Sequence, residues 1–304
     1  MTRTWPRPLR PGDRVAVVLP AGPPAPPLLA AGLDLLRSWG LRVDPVPAGR
    51  HPRLPYLAGD DAARAAQLQA VWCDPDVAAV LCGRGGYGAL RVIDLLDWDA
   101  MAAAPPRLFV GASDITALHA ALGPRCGVVT LFGAMVATDA VRDPQAVEHL
   151  RRALFDPPPV LDGGPRAWTL VGGRATGPTA GGTVSLLAAT LGGPAVPPPP
   201  DGAIVLLEDV TEAPYRIDRC LTQLLRAGWF DRAAGVVLGS WQDCGPPEEV
   251  LDVLADRLVP LGVPVVADFG FGHCPGQLTV PLGAEVELDA DALTLAVAHP
   301  GRGR

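Results

Sequence analysis

The sequence predicts an α/β protein in two parts: an N-terminal, mostly parallel sheet with flanking helices (residues 1–155), then a smaller mixed α/β domain (residues 156–304). Three observations carry this. Short apolar runs alternate with longer runs of helical period up to residue 154, the pattern of a parallel sheet covered on both faces. The alternation breaks at "FDPPPVLDGG", residues 155–164, where Pro and Gly cluster as they do in linkers. A chain of 304 residues with 49% hydrophobic content also has enough apolar side chains for two cores.

In order, "RVAVVLP", "LRVDPVPA", "VAAVLCG", "RLFVGAS" and "VVTLFGA" read as strands, each a short apolar run bounded by turn-forming residues. Between them, "LLAAGLDLLRSWG", "AARAAQLQAVWCD", "LRVIDLLDW" and "ITALHAALG" repeat their apolar residues at helical spacing. Past the linker come the short strands "AWTLVGG" and "RATGPTAGG", the helix "VSLLAATLG" and a second Pro-rich connector, "GGPAVPPPPDG". The strand "AIVLLED", helix "YRIDRCLTQLLRAGWF", strand "AGVVLGSW", helix "PEEVLDVLADRLVPLG" and strand "PVVADFGFGH" follow. The tail "LTVPLGAEVELDADALTLAVA" reads as a hairpin that turns at Asp289 to Asp291.

A net charge of -7, with arginines scattered instead of striped, argues against a nucleic-acid partner. Cys73, Cys82, Cys126, Cys220, Cys244 and Cys274 form no C-x-x-C pair and mostly lie in or beside apolar runs, as reduced cysteines of a cytoplasmic protein do. Pro20, Pro23, Pro24, Pro26 and Pro27 interrupt the apolar run behind the first arginines, against a signal peptide. No apolar segment approaches the ~18 residues that cross a bilayer, so no membrane partner is expected.

Four places could carry chemistry. Ser113 joins a strand to a helix through Gly111-Ala112-Ser113-Asp114, close to the G-x-S-x-G elbow of acyl-transfer enzymes, although Ile115 stands where the second Gly would be. Such a turn projects the hydroxyl at the sheet edge and sets the Asp114 N–H at a helix N-terminus, suited to an oxyanion. Ser113 or Asp114 could equally be a helix cap. Gly83, Gly85 and Gly88 satisfy G-x-G-x-x-G, which fits a dinucleotide pyrophosphate, but the next strand ends in Gly-Ala-Ser instead of the acid that would bind a ribose. The same turn could offer N–H groups to an oxyanion while Arg84 grips a carboxylate, or it could be a plain tight turn.

A serine nucleophile needs a base. His51, His149 and His299 lie in a loop, a charged helix and the tail, and His119 falls on another face of the Ser113 helix, which leaves His273 in "FGFGHCPGQ" or no base at all. The strand "AIVLLED" runs into Glu208 and Asp209, with Glu212 beyond. These acids could orient a base, cap the next helix or pair with Arg216 or Arg219. No zinc or calcium motif appears, so no metal and no other cofactor is expected.

Six blocks in order, "PGDRVAVVLPAGP", "GRGGYGALRVIDLLDW", "FVGASDITALHAAL", "GGTVSLLAATLG", "IVLLEDVTEAPYRIDRCLTQLLRAG" and "GFGHCPGQLTVPLGAEVELD", resemble the signature blocks of the LD-carboxypeptidases. These serine peptidases include muramoyltetrapeptide carboxypeptidases and microcin C immunity peptidases. The resemblance runs from about residue 11 to residue 289. It implies an active site at the domain interface, with a triad of Ser113, His273 and Glu208, the first acid of "LED". It also implies an oxyanion hole from the backbone of Asp114 and of the Gly85-Gly86 turn, and a homodimer. Thr183 stands where the family often has a substrate-binding Asn, and Ala21 where a Ser is common.

The implied reaction hydrolyses the amide between an L-centre and a C-terminal D-amino acid through an acyl-enzyme, releasing D-alanine from a murein tetrapeptide in peptidoglycan recycling. Arg84 is the candidate for the terminal carboxylate. Two alternatives stand beside it: microcin-immunity-type cleavage of a peptide-nucleotide, and a non-catalytic dinucleotide-binding module built on Gly83, Gly85 and Gly88.

Overall fold

The computed structural model describes residues 3–44 and 49–298. His299 and part of "LRVDPVPA" lie outside the described residues. The first half runs β1 (Arg14–Val18), α1 (Pro26–Ser38), β2 (Arg42–Val43), α2 (Asp61–Cys73), β3 (Val77–Cys82), α3 (Ala89–Ile93), α4 (Trp98–Ala103), β4 (Leu108–Gly111), α5 (Thr116–Cys126), β5 (Thr130–Phe132) and α6 (Pro144–Phe155). The second half runs β6 (Val160–Asp162), β7 (Trp168–Val171), β8 (Arg174–Thr183), α7 (Val184–Ala189), β9 (Ile204–Val210), α8 (Pro214–Arg226), β10 (Gly235–Gln242), α9 (Pro247–Leu258), β11 (Val265–Ala267), β12 (Val280–Leu282), β13 (Glu285–Asp289) and β14 (Thr294–Val297).

Local chemistry sets many of these boundaries. The Asp60 side chain accepts from Ala63 N at 2.7 Å to start α2, and Asp143 accepts from Gln145 N at 2.9 Å to start α6. Prolines open α1, α6, α8 and α9, where a missing N–H costs nothing. The expected single helix over "LRVIDLLDW" is two, because Asp97 accepts from Ala100 N at 3.0 Å and starts α4 afresh. The expected strand "PVVADFGFGH" ends at Ala267, because Asp268, Gly270 and Gly272 have φ of 53°, 71° and 97° and cannot extend it.

The first sheet has six strands in the order β12-β5-β4-β3-β1-β2, parallel except for β12. The second has eight, in the order β6-β14-β13-β8-β9-β10-β11-β7, with β8 to β11 parallel and antiparallel strands on both flanks. The second half therefore builds the larger sheet.

The tail is not one hairpin. Gly283, at φ 91°, turns the chain between β12, which pairs antiparallel with β5 of the first sheet, and the β13-β14 hairpin of the second. Thr179 Oγ1 on β8 fastens this crossing by donating to Pro281 O at 2.7 Å. The core also crosses between the sheets, since Phe132 of β5 meets Phe271 edge-on at 6.2 Å between ring centroids. The C-terminal ends of β3, β4 and β11 lead into the loops that carry Arg84 to Gly86, Ser113 and His273, while Glu208 stands at the C-terminal end of β9 itself.

Candidate active site

Ser113 follows β4 in a left-handed conformation, φ 61°, that a non-glycine residue adopts only when its surroundings impose it. Neither Ser113 nor Asp114 caps its own helix: a 3-10 turn, Ser113–Ile115, leads into α5 with no side-chain cap on either. Asp114 reaches across instead. It is buried, and its Oδ2 accepts from Ala89 N at 2.7 Å, capping α3 at the end of the glycine loop. Burial pushes the Asp114 carboxyl up to about 6.

The glycine loop is shaped by what it touches. A Cβ on Gly85 would stand 2.8 Å from Ser113 Cβ and 3.0 Å from Ser113 Oγ, and 3.1 Å from the Asp114 nitrogen. Only a glycine can pack there. Gly88, at φ 131°, leaves no room for a side chain beside Leu57 and Arg64, and Arg64 Nη1 donates to Gly88 O at 2.9 Å. The G-x-G-x-x-G spacing thus fits a loop pressed onto the serine turn.

The two acids ending β9 go to different partners. Glu208 Oε2 accepts from His273 Nδ1 at 2.7 Å and from the His273 backbone N–H at 3.2 Å. Asp209 accepts from Ser185 N at 2.8 Å at the start of α7, and burial pushes its carboxyl up to about 6. Arg216 pairs with Glu212, not with Glu208. Glu208 has no exposed side-chain surface, whereas the His273 side chain keeps 28%. Burial opposes a charge on His273, but the adjacent Glu208 outweighs it and leaves the imidazole pKa above its ordinary value.

Ser113, His273, Arg84, Gly85 and Gly86 line one cleft of about 500 Å³. Arg84 is exposed there and forms no ion pair among the described residues. His119 is buried away from the cleft, bridging Thr130 Oγ1 at 2.8 Å and Gly111 O at 3.0 Å. Among the described residues no three His, Cys, Asp or Glu side chains gather as metal ligands.

Thr183 does not face the cleft. It is 2% exposed, its N–H donates to Thr116 Oγ1 at 3.0 Å, and its hydroxyl donates to Glu208 Oε1. Burial and these bonds replace the substrate contact expected of it. Gly272 went unnoticed in the sequence: a Cβ there would stand 2.7 Å from Glu208 Oε2 and 2.8 Å from Ser240 Oγ. Its signal was the spacing "GFGH" ahead of His273.

Residues 15–133 match the LD-carboxypeptidase N-terminal domain and residues 176–288 the C-terminal domain. The chain belongs to the LD-carboxypeptidase family. A relative of this family member, the murein tetrapeptide carboxypeptidase of Pseudomonas aeruginosa, is 31% identical over 92% of this chain and 94% of its own. A provisionally named carboxypeptidase of Streptomyces coelicolor is 57% identical over 96% and 95%. Among solved structures, a muramoyltetrapeptide carboxypeptidase from Oxalobacter formigenes superposes with a TM-score of 0.82 at 27% identity, covering 94% of this chain and 99% of that one. A microcin immunity protein, MccF, in complex with glutamyl sulfamoyl guanosine shares the fold at TM-score 0.81 and 20% identity, covering 96% of this chain and 97% of that one. No described helix of this LD-carboxypeptidase family member is long and apolar enough to cross a membrane.

Proposed function

We propose that this chain is a serine LD-carboxypeptidase that removes the terminal D-alanine from murein tetrapeptides. One observation carries the reading: a strained serine at the end of β4 and a histidine backed by a buried glutamate line the same cleft. Ser113 attacks the carbonyl of the L-centre while His273 Nε2 takes its proton, and Glu208 on Nδ1 fixes the tautomer and stabilises the cation. The tetrahedral oxyanion is received by the N–H groups of Asp114 and of the Gly85-Gly86 turn, a reading supported by the close packing of Gly85 on Ser113 and the Asp114 nitrogen. Breakdown returns the proton from His273 to the leaving amine. D-Alanine departs, and water activated by the same imidazole hydrolyses the acyl-enzyme.

Arg84, on the cleft and without a carboxylate partner among the described residues, is our choice for the terminal carboxylate. We place the enzyme in the cytoplasm as a homodimer acting in peptidoglycan recycling; its six free cysteines support the compartment. The test is to incubate the protein with murein tetrapeptide and, separately, with an aminoacyl sulfamoyl nucleotide. D-Alanine release that is lost in Ser113→Ala is expected. Cleavage of the nucleotide alone would move the reading to antibiotic immunity, and a thermal shift with NAD without hydrolysis would move it to a binding module. Light scattering of the eluted protein reads the oligomeric state.

A further inference from the structure

The loop that carries His273, residues 268–279, runs from β11 in the second sheet to β12 in the first, and both halves of the chain hold it. Glu208 of the second half grips it at His273. Further along, α6 of the first half takes hold of one residue, Gly276, by both of its backbone polar groups. The Asp143 carboxylate accepts from Gly276 N through Oδ2, and His149 Nδ1 lies 3.1 Å from Gly276 O and 3.2 Å from Gln277 O. Carbonyls only accept, so His149 Nδ1 carries the hydrogen and donates. Gly276 sits at φ 65°, and a Cβ on it would stand 2.6 Å from Gln145 Oε1, so α6 also closes over it by shape.

Neither side chain takes part in the proposed chemistry. Asp143 Oδ1 accepts from Gln145 N and Ala146 N to start α6, which leaves Oδ2 aimed at the loop. The Gly276 N–H, ahead of the N–H groups of α6, holds the Asp143 carboxyl below its ordinary range, so it grips the loop as an anion at neutral pH. The helix is in turn fixed to the sheet that bears the nucleophile. Its buried residues Ala146, Leu150, Ala153 and Leu154 share one core with Val110 of β4 and Leu131 of β5, and β4 ends just before Ser113. A packed path therefore runs from Ser113 through β4 and α6 to Gly276 and His273.

We infer that Asp143 and His149 are positioning residues that hold the His273 loop at reacting distance from Ser113. Glu208 sets how the imidazole is oriented, and α6 sets where it stands over the serine. The two supports are separable. Loss of Glu208 changes the proton affinity of His273, whereas loss of the α6 grip leaves the Glu208 bond in place and lets the ring move away from the hydroxyl. A displacement of about 1 Å between reacting groups can cost ~100-fold in rate. This assignment rests on the serine carboxypeptidase reading above.

The test uses variants that spare the helix. Asp143→Ser keeps an N-cap, but its one short oxygen cannot also reach Gly276. His149→Ala removes the second grip, and His149→Asn keeps it, because the amide NH2 stands in for Nδ1–H. Asp143→Ser and His149→Ala are expected to lower kcat for murein tetrapeptide by ~10-fold or more, with KM within about twofold and the acid limb of kcat/KM at the pH of the unaltered protein. His149→Asn is expected to recover most of the loss. Raised KM at unchanged kcat would make Asp143 a substrate contact, and a displaced acid limb would make the grip a charge effect; either overturns the assignment, as do unchanged kinetics in both variants or an asparagine no better than the alanine.

A labelling arm needs no peptide. Ser113 Oγ displaces fluoride from the phosphorus of a fluorophosphonate while His273 takes its proton, and this rate is expected to fall ~10-fold in Asp143→Ser and His149→Ala. If the unaltered protein is labelled but releases no D-alanine, the carboxypeptidase reading fails, and slower labelling in the two variants keeps the positioning role standing. Labelling at one rate in all three proteins, or none in the unaltered protein, overturns that role.

Discussion

The Thr183 hydroxyl donates to the one Glu208 oxygen, Oε1, that His273 does not hold. A carboxylate with no exposed surface thus has both oxygens occupied, one by β8 and one by the loop after β11. Thr183→Val keeps the shape and removes the donor. Leaving that buried oxygen unpaired is expected to cost about 1–3 kcal/mol of stability. A freer Glu208 should lower kcat by ~10-fold with KM little changed, since only the imidazole is affected. Denaturant melts and steady-state kinetics check both, and Thr183→Ser should restore them. An unchanged kcat would reduce Thr183 to a space-filler.

The pH profile tests the partnership of Glu208 and His273. Burial resists the imidazolium and Glu208 more than offsets it, so the base stays charged to a higher pH than an ordinary histidine. A general base must be neutral, so kcat/KM should rise as pH climbs through that raised pKa. Glu208→Gln removes the attraction and should move the acid limb to lower pH, while the plateau falls by ~10⁴-fold as the tautomer is lost. An acid limb that stays in place would show that another group sets it. The sign for stability follows from the same shift: this pair's contribution is complete below the unfolded pKa of about 6.5 and is lost as pH rises through the folded value.

Ser113 separates chemistry from strain. Ser113→Ala and Ser113→Gly should both lose roughly six orders of magnitude in kcat if the triad acts as a unit. Their stabilities should differ. At φ 61° alanine keeps the backbone penalty that glycine escapes, so Ser113→Gly should be the more stable of the two by ~1 kcal/mol. Equal melting temperatures would mean that the elbow is not strained.

Gly272→Ala would drive a methyl group to within 2.7 Å of Glu208 Oε2 from a backbone at φ 97°. Displacing the triad by this much should lower kcat by ~100-fold or more while the circular dichroism spectrum persists. Gly262→Ala is the control: its φ of 68° carries the same kind of backbone penalty, but nothing lies within 4 Å of the added atom. Comparable activity losses in the two would exclude a local effect on Glu208.

Asp114 predicts a slope of stability with pH. Burial raises its carboxyl from 3.8 to about 6, so the folded state resists ionisation; its contribution is complete below the unfolded value and falls as pH rises through 6. Asp114→Asn can still accept from Ala89 N through Oδ1 and should remove about 2 kcal/mol of the decline between pH 4 and pH 7, at 1.36 kcal/mol per pKa unit. Denaturant melts across that range decide it. Asp209, pushed up to about 6 in the same way, leaves the variant with a slope of its own. A variant with an undiminished slope would contradict the assignment to Asp114.

Much of the candidate site was present in the order of residues. A serine between an apolar strand and a helix, a glycine loop one βα unit earlier, an acid closing "LLED" and a histidine in "GFGH" are local signals, because each depends on where one strand stops. The strand-helix alternation likewise announced a parallel sheet, since strands buried on both faces must be apolar throughout. The boundaries of α3 and α4 were missed because a single capping hydrogen bond from Asp97 outweighed a continuous helical period.

The tertiary structure decided what depends on two distant residues at once. Asp114 as the cap of α3, Thr183 as a partner of Glu208 instead of a substrate contact, and β12 as a strand of the first sheet are each settled across 25 or more residues of sequence. Periodicity and composition report which side chains will be buried. They do not say which buried donor finds which acceptor, because that pairing is set only when the sheets close on one another and exclude the water that would otherwise satisfy both.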